Sequence, residues 1–404
     1  ASTGTREQIT AYCEGINAAI EQGYRRRPTE LVLLGSQPTP WEPEDVQGYA
    51  VLLCFALASN WDVELVRLKI LQEDGPDALR ALDPDFPATS PVHHPPGAPA
   101  GQSLDRLARD LSLFADVHGL GGGSNAWALA GSRTRSGHPL LASDPHLMPV
   151  APSQFYLAQM TTPEWTVAGL SFVGTPAFAA GHNRHLAWGA TAAHADNTDL
   201  FLEEVGPDGR SVREGNVFIP CDQRTEVIRV KGGEDLLEDV LTTARGPIIG
   251  PAMEGAPDAI SMAATWLAPR PYEGLFGAHR ATTPTEIREL FRAGSASTIN
   301  LVYASAEGHI GWQLAVELPI RRKGDGQVPT PGWDLDAGWA AVGVPFDALP
   351  HSEDPPQGFI ASANNPPGPD VATEHFLGTD WLDGYRQARL CEVLGSRDDW
   401  DVQG

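Results

Sequence analysis

The chain has 404 residues, of which 42% are hydrophobic and 20% charged, and its formal net charge is -24 at pH 7. The composition is typical of a globular protein, and the excess of acidic residues argues against binding to nucleic acid or to anionic membranes, since both need basic surface. The longest apolar run, residues 49–58, is far shorter than the ~20 residues of a membrane-spanning helix, so no membrane span is expected.

Helical patterns fill the first part of the chain. Thr5 and Gln8 have the spacing of a capping box, and apolar residues then recur at helical intervals as far as Gly23. Residues 44–72 predict further helix, with a break near Ser59.

A different composition follows these helices. The proline-rich residues 83–101 predict a loop or linker, and residues 104–114 predict one short helix. We therefore predict a helical segment over residues 1–95 and a spacer over residues 96–123.

A run of three glycines ends the spacer and leads directly into Ser124. Glycine has no Cβ, so this backbone can bend or be approached closely, and residues 126–131 predict a buried strand directly afterwards. Cleavage of the bond between Gly123 and Ser124 would give the serine a free α-amine. Such an amine has a reference pKa of roughly 8 and could act as general base for the adjacent hydroxyl. The alternative is a flexible linker followed by an ordinary strand.

After Ser124 the pattern changes to short strands separated by turns. The predicted strands are 126–131, 139–143, 186–191, 198–203, 224–231, 298–304 and 309–315. One helix interrupts them, because Thr283 and Glu286 form a capping box, Pro284 suits the first helical position, and Gly294 suits the end. No alternation of strand and helix is present, so the sequence predicts an α+β fold.

Several motifs occur in a recognisable order along the chain. They are Trp41-Glu42-Pro43, Ser124-Asn125, residues 137–147, residues 181–191 and residues 358–361. Together they resemble the penicillin acylase family of N-terminal nucleophile hydrolases. The resemblance implies an αββα sandwich, in which residues 124–404 form an incomplete catalytic core and the helical segment belongs to the first chain.

The resemblance also implies how such a protein is made. A single precursor would be cleaved into an α/β heterodimer that acts on a small-molecule N-acyl substrate without an organic cofactor. Family members are longer at both ends, so we expect this sequence to be a fragment, and the family suggests a periplasmic or secreted protein.

Catalytic roles follow from the resemblance residue by residue. Ser124 would be the nucleophile, and the backbone N–H of Ala192 and the side-chain amide of Asn300 would form the oxyanion hole, whose donors stabilise the negative charge of the transition state. The alternatives are a plain strand residue at Ala192 and, at Asn300, a strand-edge asparagine that satisfies local backbone.

Four further residues match family positions around the nucleophile. His146 would hold the amine of the serine through a hydrogen bond, and Arg321 would lie near the active-site asparagine. Leu147 and Ala190 match positions that line the acyl pocket, and both are apolar. The alternatives are a structural histidine and a surface arginine.

Calcium is the one metal that the resemblance implies. Glu64 from the first segment, Asp196, Asp199 and the carbonyl of Thr198 would be its ligands, although Ca²⁺ takes about six to eight oxygens and these residues supply only part of that set. In isolation, the acidic run at residues 196–199 is typical of a turn.

Hydrolysis of a linear amide is the function that these features favour. The N-acyl compound could be a β-lactam side chain, an acyl-homoserine lactone or a lipopeptide. A serine hydrolase with a nucleophile elbow is disfavoured, because that motif needs a strand before the serine and a helix after it. An inactive or truncated family member with a binding or structural role is the remaining alternative.

Overall fold

The computed structural model describes residues 3–23, 28–57, 60–83, 122–151, 153–250, 258–268, 273–295, 297–340, 343–367 and 375–403. The described residues before the glycine run contain five helices: α1 Thr3–Gln22, α2 Thr29–Leu34, α3 Pro43–Leu57, α4 Trp61–Glu73 and α5 Gly75–Leu82. The described residues after it contain two further helices, α6 Pro284–Glu289 and α7 Tyr385–Gly395.

Strands dominate the second segment. In chain order they are β1 Gly123–Leu129, β2 Leu140–His146, β3 Phe155–Thr161, β4 Thr166–Phe172, β5 Phe178–His182, β6 Leu186–Ala192, β7 Thr198–Glu204, β8 Ser211–Glu214, β9 Val217–Pro220, β10 Asp222–Ile228, β11 Leu236–Thr242, β12 Asp258–Ala264, β13 Ile299–Ser305, β14 Ile310–Ala315, β15 Thr330–Pro331, β16 His351–Glu353 and β17 Phe359–Ser362.

Two antiparallel sheets form the centre of the molecule. The larger has seven strands in the order β16-β14-β13-β6-β5-β4-β3, and the smaller has the order β17-β1-β2. Small and branched side chains from both sheets form one buried cluster between them: Ala126, Ala128, Val302, Ala304, Ile310 and Ile360. Alternate residues of a strand face opposite sides, so Ser124, in register with Ala126 and Ala128, also faces the space between the sheets.

Helices cover the outer faces of both sheets. Ile287 of α6 packs with Leu301 and Tyr303 against the far side of the seven-stranded sheet. Helix α7 lies on the three-stranded sheet, where Gln387 donates a hydrogen bond to the carbonyl of Ala361 in β17 at 2.9 Å. The order helix, sheet, sheet, helix confirms the predicted αββα sandwich.

The helices before the glycine run pack against the strands after it. Trp61, Leu65 and Leu68 of α4 share a core cluster with Leu200 of β7 and Met262 of β12. Helices α1 and α3 contribute to a second shared cluster, together with Ala177 and Phe276. The hydrophobic core is therefore built jointly by the two segments.

The element boundaries differ slightly from the sequence predictions. The first helix begins at Thr3, so Thr5 lies inside its first turn. Helix α6 ends at Glu289 rather than near Gly294, although Thr283 caps it as predicted, with its hydroxyl accepting from the N–H of Glu286 at 3.1 Å.

Two predicted features cannot be compared with the structure. Most of the proline-rich loop at 83–101 and all of the short helix at 104–114 lie outside the described residues. Within the described part of the chain, no helix combines the length and apolar character needed to cross a membrane.

Candidate active site

Ser124 is the second residue of β1, and its side chain is 7% exposed. Gly122 before it has φ +116°, and a Cβ there would lie 2.1 Å from the carbonyl oxygen of His146. A Cβ on Gly123 would lie 2.6 Å from Nη2 of Arg386. Gly122 therefore permits a close approach of the backbone to β2 that a larger residue would block, whereas the end of the Arg386 side chain could shift to admit a Cβ at Gly123.

Two N–H groups converge on the hydroxyl oxygen of Ser124. The backbone N–H of Ala192, at the end of β6, donates to Oγ at 3.4 Å, and Nδ2 of Asn364 donates to it at 3.1 Å. Asn364 is fully buried in the loop after β17, with φ +65°, a conformation that asparagine tolerates better than most residues. Paired donors of this kind can stabilise negative charge on an oxygen beside the nucleophile.

Arg386, at the start of α7, fixes the orientation of the Asn364 amide. Oδ1 of Asn364 accepts from Arg386 Nη2 at 2.8 Å and from the backbone N–H of Ser124 at 2.6 Å. With its oxygen engaged by two donors, the NH₂ group must face the other way, toward Ser124 Oγ. Arg386 Nη1 also donates to the carbonyl of Ser124 at 2.6 Å and to Oδ1 of Asn125 at 2.9 Å.

The structure places Asn300 differently from the sequence prediction. Its side chain faces the space between the sheets, but Nδ2 donates to Thr191 Oγ1 at 3.2 Å and Oδ1 accepts from Trp312 Nε1 at 2.9 Å. Both ends of this amide are thus engaged away from Ser124. The side-chain amide that donates to Ser124 Oγ in this structure is that of Asn364 and not that of Asn300.

His146 and Arg321 also have other partners than those predicted. Nε2 of His146 lies 2.7 Å from Oδ2 of Asp144 and 3.2 Å from Nδ2 of Asn125, while the N–H of Ser124 donates to Asn364 instead. Arg321 lies in the acidic cluster described below, and the arginine beside Asn364 is Arg386.

The two predicted acyl-pocket residues lie differently relative to Ser124. Leu147 follows the last residue of β2 and is half-buried. Ala190 lies two residues before Ala192 and packs against the apolar cluster on the helix-covered face of the large sheet. Contact of either residue with a substrate stays a prediction.

Asn364 and Arg386 were not singled out from the sequence. A weak signal was present, because Asn364 and Asn365 follow the recognised residues 358–361 directly, and adjacent asparagines are typical of a loop that visits positive φ. Nothing in the sequence around Arg386 distinguishes it from a solvent-exposed helix residue.

The four predicted calcium ligands do come together, in a cluster with Arg321 at its centre. Glu64, Asp196, Thr198 and Asp199 are all buried. Nη2 of Arg321 lies 2.7 Å from a carboxylate oxygen of both aspartates, and Nε lies 3.0 Å from each oxygen of Asp199. Burial raises the pKa of Asp196 to about 7, and burial followed by the charges of Asp199 and Asp196 raises the pKa of Glu64 well above its usual range.

This cluster does not fit a calcium ion. The remaining oxygen of Asp196 accepts from Gln327 at 3.0 Å, and Oδ2 of Asp199 accepts from the indole of Trp339 at 2.6 Å. All four aspartate oxygens are therefore engaged by N–H donors. In the cluster, Oε1 of Glu64 alone is a buried carboxylate oxygen without a partner. Over the described ranges, no group of three or more histidine, cysteine or acidic residues is arranged to hold a metal.

We expect the melting temperature to be unchanged by a chelator, because the guanidinium of Arg321 already balances the carboxylates. Arg321→Met should lower the free energy of unfolding by about 3–5 kcal/mol, since it leaves buried carboxylates without their partner. Arg224→Met, which removes an exposed pair with Glu226, is the control and should change stability by less than about 1 kcal/mol. Calcium found by elemental analysis, with a chelator-dependent melting temperature, would contradict this description.

Comparison with known proteins shows which family the sequence matches. A family model described as Penicillin amidase matches residues 1–404. The chain is 32% identical over 409 residues to penicillin acylase 2 proenzyme of Pseudomonas sp. strain SE83, covering 96% of this chain and 51% of that protein. It is 30% identical over 429 residues to acyl-homoserine lactone acylase QuiP of Pseudomonas aeruginosa, covering 100% of this chain and 50% of that protein.

A solved structure shows the same fold. The thermostable penicillin G acylase of Alcaligenes faecalis superimposes with a TM-score of 0.61 and 26% identity, covering 69% of this chain and 50% of that one. The chain thus spans about half the length of the relatives that it matches.

Proposed function

Because the chain belongs to the penicillin amidase family, we propose that the protein hydrolyses a linear amide bond in an N-acyl compound, with Ser124 as the nucleophile. The observation that carries the proposal is the convergence of two N–H donors, from Ala192 and Asn364, on the hydroxyl oxygen of a serine that follows a glycine run. A nucleophile and donors for an oxyanion are two of the three parts that amide hydrolysis needs.

The third part, a general base, would come from cleavage of the bond between Gly123 and Ser124. In that step Ser124 Oγ attacks the carbonyl carbon of Gly123, the bond to the Ser124 nitrogen breaks, and the nitrogen takes the hydroxyl proton. Water then hydrolyses the resulting ester, which leaves a carboxylate on Gly123 and a free amine and hydroxyl on Ser124.

The charge of Arg386 supports this amine as a base at neutral pH. Its Nη1 lies 2.6 Å from the carbonyl of Ser124, and a cation so close favours the neutral form of a neighbouring amine. The same guanidinium acts, after burial, to lower the pKa of His194 to about 4.

Turnover would then use the same groups on the substrate. The α-amine takes the proton of Ser124 Oγ as the oxygen attacks the acyl carbonyl, and the N–H groups of Ala192 and Asn364 donate to the developing oxyanion. The amine product leaves with the proton, and water releases the acid from the acyl-serine.

For the substrate we propose an N-acyl compound with an apolar acyl group. The apolar residue Leu147 directly follows β2, the strand that pairs with β1 beside Ser124, and the relatives are named for acyl-homoserine lactones and for penicillins. The test is to measure amine release from N-acyl-homoserine lactones of different chain lengths and from penicillins, with Ser124→Ala as the blank. Release above the blank for any of them supports the proposal, and release equal to the blank for all of them contradicts it.

A further inference from the structure

A chain of hydrogen bonds crosses the space between the two sheets behind Ser124. The indole N–H of Trp312 donates to Asn300 Oδ1 at 2.9 Å, and Nδ2 of Asn300 donates to Thr191 Oγ1 at 3.2 Å. Thr191 Oγ1 lies 2.7 Å from Ser362 Oγ. Thr191, Asn300 and Ser362 are each at most 4% exposed.

Proton counting fixes one bond of this chain. Asn300 can only accept at Oδ1 and donate at Nδ2, so Thr191 accepts from it. Either hydroxyl can be the donor in the bond between Thr191 and Ser362. Asn300 therefore holds the hydroxyl oxygen of Thr191 where it bonds to the smaller sheet.

The two linked hydroxyls lie beside the two donors that meet at the nucleophile. Thr191 directly precedes Ala192 at the end of β6, in the seven-stranded sheet. Ser362 is the last residue of β17, in the three-stranded sheet, two positions before Asn364. The donors thus come from different sheets. Asn364 Nδ2 also donates to the carbonyl of Ala192 at 2.8 Å, so the bond between Thr191 and Ser362 holds the two sheets together next to a direct bond between the two donor residues.

We propose that the hydrogen bond between Thr191 and Ser362 sets the distance between the Ala192 and Asn364 donors, with Asn300 as a further positioning residue. This rests on the proposed function, because it assigns those donors to the oxyanion. None of the three side chains contacts Ser124 Oγ, so they act through the backbone of the residues that do. A donor displaced by about 1 Å can lower the rate by up to about 100-fold.

The central test compares Thr191→Val, which keeps the shape of the side chain but removes its hydroxyl, with Thr191→Ser, which keeps the hydroxyl. Thr191→Val should lower kcat by about 10- to 100-fold with KM within about twofold of wild type. Thr191→Ser should keep most of the wild-type kcat. Adding Ser362→Ala to Thr191→Val should cause little further loss, since both remove the same bond.

A control separates positioning from simple stability. Ser171→Ala removes a buried hydroxyl of β4 that donates to the carbonyl of Ala177 at 2.9 Å. It should lower the melting temperature comparably to Thr191→Val while leaving kcat unchanged. Equal kcat in wild type and Thr191→Val would overturn the proposal, as would an equal loss in Thr191→Val and Ser171→Ala.

A second measurement keeps this inference distinguishable from the proposed function. In a crystal structure of Thr191→Val, the Ala192 N–H and the Asn364 amide should lie measurably farther apart than in the wild-type crystal structure. Unchanged separation overturns the positioning role even in a protein that hydrolyses no substrate offered, and increased separation supports it there. If the proposed function were wrong, the wild type would instead release amine no faster than the Ser124→Ala variant does.

Discussion

Ser124→Ala is expected to leave the chain in one piece and to abolish amide hydrolysis. The substitution removes the oxygen that we propose attacks the carbonyl of Gly123 and, with it, the proposed nucleophile for the substrate. Intact mass spectrometry should find two chains in the wild type, separated between Gly123 and Ser124, and a single chain in the variant. The loss of hydrolysis should be of the order of 10⁶-fold in kcat, as for other nucleophilic serines.

Ser136→Ala is the matched control, because Ser136 is exposed and its hydroxyl bonds to Thr134 and His138 within one local turn. That variant should be cleaved and active like the wild type. A wild-type protein that stays uncut while it still hydrolyses amides would show that the α-amine of Ser124 is not the base. Cleavage of Ser124→Ala at the same bond would assign the cut to another protease.

Asn364→Asp should lower kcat by roughly 10²–10³, the usual effect of losing one oxyanion donor. The aspartate has nearly the same shape and tolerates positive φ, but it places an acceptor where the amide donates to Ser124 Oγ. Steady-state kinetics on any substrate found in the panel gives the measurement, and the KM should change much less than kcat. Asn364→Gly, which keeps the backbone free at φ +65°, should show a loss of similar size.

The neighbouring Asn365→Ala provides the control for changes to this loop. Its side chain accepts from the N–H of Ala363 at 3.0 Å and donates to the carbonyl of Pro366 at 2.8 Å, both within the loop, so kcat should stay within a few-fold of wild type. If Asn364→Asp retained full kcat, the oxyanion role would have to be removed from Asn364. A loss confined to KM would place it in substrate binding instead.

The sequence was informative wherever the relevant signal is local. Apolar alternation predicted β1, β6 and β13 to within a few residues, because strand burial depends on near neighbours. The glycines before Ser124 likewise indicated that the backbone is closely approached there. Both are properties of a short stretch of chain.

The partners of Ser124 could not be predicted in the same way. Asn364 lies 240 residues from the serine and Arg386 lies 262 residues from its carbonyl partner. Their position next to Ser124 depends on the pairing of β17 with β1 and on the placement of α7, which are tertiary contacts. Asn300 was a reasonable hypothesis, since it does face the space between the sheets, yet Thr191 and Trp312 engage its amide there.

The surroundings of the predicted calcium ligands could not be read from the sequence for a related reason. The acidic residues near position 196 are visible in the sequence, but the guanidinium that binds them is 122 residues away from Asp199. The sequence around the aspartates alone, or around the arginine alone, does not show that their charges balance in the fold. The structure shows that an arginine of this chain supplies the cation.

The core shared by the segments before and after Gly123 has a thermodynamic consequence for the cleaved protein. Trp61 and Leu68 of α4 pack with Leu200 and Met262, and no peptide bond would then join these two sides. Unfolding would release two separate chains, so the midpoint of denaturation would rise with protein concentration, as it does for an obligate dimer. Refolding would require the two separate chains to meet, each with its part of the shared core exposed to water. Its rate would be second order in protein concentration, so dilution would slow it. The uncut Ser124→Ala protein would refold at a rate independent of concentration.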